Sequence, residues 1–192
     1  MVQSIPIGIL TQGKFMDIRQ KIIETAYTAF YREGFHACGV EMLAQRAGTT
    51  KRTLYAHFGS KDGLIDAVLQ YRHQQFIDSM QRALEKRPPK QAADAYLDFI
   101  KTWTQSEGFY GCMFINACAE FSDDTSLPHR HAAQHKQQIR RILQTRLQHG
   151  GAADADALAN SVFIYGEGLI VAAQAGQSDL LHIPAPFGQT AG

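Results

Sequence analysis

The sequence predicts an all-α protein, on three observations. Apolar residues recur at helical spacing in window after window, Gly and Pro fall between those windows, and no run alternates apolar and polar residues as a half-buried strand does. The arrangement predicted is an N-terminal three-helix helix-turn-helix domain, joined by a long helix to a C-terminal helical ligand-binding and dimerisation domain. Of the 192 residues 45% are apolar, enough for a sizeable core, and the chain shows no internal repeat or low-complexity tract.

Residues 1–13 have no cationic start and are broken by Pro6, Gly8 and Gly13, so they read as a flexible arm and not as a signal peptide. Asp17, with Gln20 three positions on, marks a helix start, and Ile18, Ile22, Ala26, Ala29 and Phe30 form one stripe that ends at Gly34. Val40, Leu43, Ala44 and Ala47 give a second, two-turn amphipathic helix, and Gly48 supplies the break before a third. In that third helix Thr50 is placed to cap, Leu54 and Phe58 face inward, and Lys51, Arg52, Thr53, Tyr55 and His57 take the other faces. Helix, Gly turn, helix is the pattern of a DNA-binding hairpin, but a plain helical hairpin has it too. The surface chemistry decides. Lys51, Arg52, Tyr55, His57 and Lys61 lie within eleven positions and supply the cationic and hydroxyl donors needed for phosphate and base-edge contacts.

Charge follows the same division. Residues 1–72 carry nine Lys/Arg against six Asp/Glu, while residues 73–192 carry ten against twelve, so a basic head (+3) precedes a mildly acidic body (−2).

The string Ala47-Gly48-Thr49-Thr50-Lys51-Arg52-Thr53-Leu54-Tyr55-Ala56-His57-Phe58-Gly59-Ser60-Lys61-Asp62-Gly63-Leu64 resembles the DNA-binding domain of the TetR family of bacterial transcriptional regulators, and the resemblance runs from about Ile18 to Leu69. Three positions depart from the family pattern. Thr49 replaces a small apolar residue in the turn, Arg52 replaces a Gly, and Cys38-Gly39 replaces a Thr/Ser pair ahead of the second helix, removing a hydroxyl the family often places on a phosphate. The resemblance implies a domain over residues 1–60 that binds double-stranded DNA, and a ligand-binding and dimerisation domain over residues 61–192. It further implies a cytoplasmic homodimer on a palindromic operator, released by a small-molecule effector. Thr50, Lys51, Arg52, Thr53, Tyr55, His57 and Lys61 are the DNA-binding set, with Arg52 and Thr53 assigned to the bases and Lys51, Tyr55, His57 and Lys61 to the backbone.

Ser60 caps the next predicted helix, whose apolar positions from Leu64 to Met80 carry it to about Arg87 before Pro88-Pro89. At 1.5 Å per residue it is a rod of roughly 40 Å. In the resemblance it is the connecting helix that transmits ligand state. A helix over 91–106 follows, then a break at Glu107–Gly111, a short apolar segment over 112–121 containing Asn116 and Glu120, a helix from Pro128 to His149, and a last helix from Ala153 to Ala175. Gly166 and Gly168 in that last helix predict close helix approach or ligand access, at about 1 kcal/mol each relative to Ala. The tail after residue 180 is too broken by Pro184 and Pro186 for another long helix.

Phe99, Trp103, Phe109, Tyr110, Met113, Phe114 and Tyr165 are either the core of the C-terminal domain or the lining of an apolar effector site, with Asn116, His73 or Glu120 orienting a polar end. His131 and His135 share a helix face, but neither a Cys nor a third ligand is in register, so they read as solvated histidines and no metal is assigned. Cys38, Cys112 and Cys118 form no CxxC or even framework, as in a reducing compartment. No nucleophile elbow, HExxH, Walker loop or dinucleotide Gly pattern occurs, so catalytic residues and cofactors are predicted to be none. No apolar stretch of about 18 residues is evident, so no membrane partner is expected. The two alternatives to a repressor are a transcriptional activator and a helical small-molecule-binding protein with no role on DNA.

Overall fold

The computed structural model describes residues 17–184 and 186–187; the arm expected over residues 1–13 lies outside them. Eight α-helices and no strand occur among the described residues: α1 Ile18–Glu33, α2 Val40–Arg46, α3 Lys51–Phe58, α4 Lys61–Glu85, α5 Ala92–Thr104, α6 Met113–Glu120, α7 Leu127–His149 and α8 Ala155–Gln174. They form two compact units. Of the described residues, one unit combines those up to Arg72 with Met113–His131, and the other combines His73–Cys112 with those from Ala132 onward.

The first unit is built on the predicted helix-turn-helix. The Asp17 carboxylate accepts the Arg19 N–H at 3.2 Å and starts α1, which buries Ile22, Ile23, Ala26, Ala29 and Phe30. Val40, Leu43 and Ala44 of α2 and Leu54 of α3 complete this small core, each large side chain contributing about 1.5–3 kcal/mol by leaving water. Gly48 turns the chain between α2 and α3 at φ +68°, in the left-handed region where a side chain is strained. Helix α6 belongs here because its last residue holds the α1–α2 turn: the Glu120 carboxylate accepts the N–H groups of Phe35 at 2.9 Å and His36 at 2.8 Å. This division therefore differs from a cut after residue 60, since the first turns of α4 and all of α6 pack with the head.

In the second unit α5 and α8 form the most extensive helix pair. The approach is possible because residue 166 is glycine: a Cβ there would lie 2.7 Å from Cε1 of Tyr96. Gly168 has open space around it, so only one of the two glycines serves the packing. Helix α8 is long and apolar enough to cross a membrane by length and composition, with mean hydropathy 1.2 over 18 residues, contrary to the expectation that no such stretch exists. Its composition has two uses within the fold. Ala159, Val162, Gly166, Leu169 and Ile170 are buried, while Ile164 and Val171 stand 68% and 58% exposed on another face. After α8 the described residues hold a short 3-10 turn, Ser178–His182, ahead of Pro184.

Candidate nucleic-acid interface and effector residues

Helix α3 presents the predicted contact residues as one exposed surface. Thr50 caps it, its hydroxyl oxygen accepting the Thr53 N–H at 3.1 Å and sharing a 2.9 Å hydrogen bond with the Thr53 hydroxyl. Leu54 is fully buried and fixes the helix's rotation. Lys51, Arg52, Tyr55 and His57 are exposed, and Lys61 is half-buried at the start of α4. Arg52 and Lys61 form no ion pair among the described residues. Lys51 does: its ammonium lies 2.5 Å from Glu41 of α2 and 5.7 Å from the centre of the Tyr55 ring. The hydrogen bond holds the Glu41 carboxyl below its ordinary pKa and the Lys51 ammonium above its own. A phosphate reaching Lys51 meets the Glu41 carboxylate beside it, a repulsion the sequence pattern does not show. Arg19, next to the start of α1, stacks over Phe58 with its guanidinium carbon 5.4 Å from the ring centre.

Cys38 is fully buried, and burial pushes its thiol up. Gly39, the N-cap of α2, offers no side-chain cap, so the hydroxyl expected ahead of α2 from family members has no substitute here.

The aromatic residues proposed for an effector are distributed, not gathered. Trp103 makes edge contacts with Phe76 and Phe109, each at 5.2 Å, and Phe76 meets Phe99 at 5.3 Å and the ring of His135 at 5.0 Å. These form one cluster in the second unit. Tyr165 is turned to the C-terminal segment, its hydroxyl 3.4 Å from the Ile183 carbonyl and its ring edge-on to Phe187. Tyr110 is 42% exposed. Met113, Phe114 and Asn116 lie on α6 in the first unit. Glu120 directs both carboxylate oxygens at backbone N–H groups of the α1–α2 turn. An open groove of about 320 Å³ along α4 and α7, lined by Leu84, Ile142 and Arg146 among others, contains none of the predicted effector residues.

Contrary to the expectation of solvated histidines, His131 and His135 of α7, like His129 beside them, are partly or fully buried and partnered. His131 lies 2.6 Å from Asp66, His129 2.7 Å from the Phe121 carbonyl, and His135 is buried with its Nδ1 2.9 Å from Nδ1 of His73. The groups across from them sit on α4 and on the segment after α6, beyond the reach of sequence spacing. No group of three or more metal-ligating side chains occurs among the described residues.

Sequence reasoning missed the polar centre of the second unit. Lys136 of α7 donates to both carboxylate oxygens of Glu167 of α8 at 2.7 and 2.8 Å, and reaches Sγ of Cys112 at 3.4 Å. Burial pulls the Lys136 ammonium down, but Cys112 and Glu167 outweigh it and leave the pKa raised. Tyr96 of α5 is fully buried beside Gly166, and its hydroxyl has no hydrogen-bond partner among the described residues. Burial above all, with Glu167 and Cys112, pushes that hydroxyl's pKa up and keeps it protonated. Only the paired glycines of α8 hinted at this centre.

The comparisons agree with one another. Residues 22–68 match the family model described as "Bacterial regulatory proteins, tetR family". The chain is 28% identical over 170 residues to the HTH-type transcriptional repressor ComR of Escherichia coli, covering 83% of this chain and 81% of that protein. It is 34% identical over 103 residues to the HTH-type transcriptional activator FasR of Mycolicibacterium smegmatis, covering 51% of this chain and 46% of the relative. The crystal structure of SCO4454, a TetR-family transcriptional regulator from Streptomyces coelicolor, superposes with TM-score 0.79 at 28% identity, over 85% of this chain and 87% of that one.

Proposed function

The chain belongs to the TetR family of DNA-binding transcription regulators, and from that premise we propose that it is a ligand-responsive repressor, a cytoplasmic homodimer that grips a palindromic operator and is released by a small, largely apolar effector. The observation that carries the reading is the capped α3 with Lys51, Arg52, Tyr55 and His57 displayed around a buried Leu54. Arg52 and Thr53 read base edges, since Arg is the usual partner of a guanine edge, and Thr50, Lys51, Tyr55, His57 and Lys61 hold the backbone.

One helix-turn-helix reads only a few base pairs, so a second copy is needed for specificity. The dimer forms through the last two long helices, α7 and α8. The exposed Ile164 and Val171 of α8, with the open side of Gly168 between them, supply an apolar stripe suited to a two-fold contact. Effector binding is read out through α6. Cys112, held by Lys136, immediately precedes that helix, and Glu120 at its other end holds the turn ahead of α2. Repression follows ComR, which is matched over 81% of its length; FasR, matched over 46% of its length, is an activator.

Selection of bound sequences from a random duplex library, alongside sedimentation at micromolar concentration, tests this. A palindrome with half-sites about 34–36 Å apart and a dimer support it. A monomer, or no sequence preference, overturns it.

A further inference from the structure

The second unit keeps a costly polar group in its interior. A buried hydroxyl without an acceptor destabilises the fold, and an ion pair removed from water is seldom better than a packed apolar pair. Tyr96, Lys136 and Glu167 incur both penalties where α5, α7 and α8 converge. Their donors and acceptors define what could join them. Lys136 already neutralises Glu167 and engages both of its oxygens, so a cation would bring an unmatched positive charge beside the ammonium. The pair is already neutral, so an anion would bring an unmatched charge beside Glu167. A neutral acceptor meets neither obstacle: Tyr96 has an unused O–H, and the weakest contact of Lys136 is the 3.4 Å one to the Cys112 sulfur, which an oxygen can replace.

We propose that Tyr96, with Lys136, is the polar anchor of the effector site, and that it selects a neutral ligand presenting a carbonyl oxygen on an apolar ring body. Tyr96, Phe99 and Trp103 follow one another at i, i+3 and i+7 on α5, which places the ring cluster on the same side of the helix as the anchor. The inference rests on the effector reading above and names the chemistry of its ligand.

The probes are 1-tetralone, the matched hydrocarbon tetralin, and 1-naphthoate, titrated by calorimetry against the full chain and against Tyr96→Phe. Fluorescence of Trp103, the chain's single tryptophan, serves as a second readout. Tetralone is expected to bind saturably and at least about tenfold tighter than either other probe. Tyr96→Phe should cost tetralone about that factor, leave tetralin unchanged, and not lower Tm, because the removed hydroxyl has no partner among the described residues. A purely structural Tyr96 would move Tm and not the preference. Tightest binding by naphthoate, equal losses for tetralone and tetralin, or no saturable tetralone binding would overturn the proposal. The same preparations are titrated with the selected duplex. Failure to bind DNA without any probe strikes the regulator reading, whereas DNA binding with an unselective ligand response strikes this inference alone.

Discussion

The DNA-facing surface of the first unit and the polar centre of the second spend charge in opposite ways. On α3 the cations stand in water, where a charge costs little and a surface ion pair such as Lys51–Glu41 contributes little to stability. In the second unit Lys136 and Glu167 are held with their side chains only 17% and 23% exposed, in a setting where each depends on the other. A charge kept for meeting a polyanion is cheap to display and cheap to remove. A charge kept inside is expensive in both directions, so substitutions in the two regions should separate cleanly into effects on binding and effects on folding.

The largest effect expected is on the interior. Lys136→Met leaves Glu167 without its counter-ion and should destabilise the fold by about 2–4 kcal/mol, the discount from a fully buried pair reflecting partial exposure. Adding Glu167→Leu should recover most of it. Denaturant unfolding of the three variants measures both steps, and a double variant no better than the single one would remove the ion pair from the account.

Next is the contact between α6 and the head. Glu120→Ala leaves two N–H groups ahead of α2 without their acceptor, at about 1–3 kcal/mol. Here the comparison sharpens, because Glu120 lies outside the DNA surface yet should weaken DNA binding by loosening the helix-turn-helix. Unchanged stability and unchanged DNA affinity would dismiss it as a link.

These two residues also show where the sequence stops being readable. The head was legible because its information is local: cap, inward Leu54, outward cations and the Gly48 turn fall within a dozen consecutive positions, and helical spacing alone sorts them. Helix boundaries were close for the same reason, with α4 ending at Glu85 before the Pro pair. The polar centre was not legible. Tyr96, Cys112, Lys136 and Glu167 are brought together from three helices and a loop, and none carries a motif. Glu120 looked like a candidate for ligand orientation because its partners, the N–H groups of Phe35 and His36, are 85 and 84 residues away and leave no trace in side-chain pattern. The α7 histidines misled in the same manner: His131 and His135 are satisfied by Asp66 and His73 of α4, 65 and 62 residues away in sequence.

On the surface the effects are smaller and fall on DNA alone. Arg52→Ala should cost about 1–3 kcal/mol of operator affinity and relax preference at one base position, with Tm unchanged. Lys61→Ala should weaken all duplexes alike and reduce the salt slope by about 1. Glu41→Gln should do the reverse, tightening binding to every duplex, because no carboxylate beside Lys51 then repels the phosphate. Weaker binding in Glu41→Gln would mean that Glu41 aims Lys51 and does not compete for it.

The most direct test of the DNA assignment is fluorescence anisotropy of the selected operator with the wild type and with Lys51→Ala/Arg52→Ala/Tyr55→Ala. All three side chains are exposed, so the fold should survive, with an unchanged circular dichroism spectrum and Tm. Operator binding should fall to the level of an unrelated duplex. Operator affinity equal to that of the wild type, in a variant shown to be folded, would contradict the assignment of α3 as the helix that reads DNA.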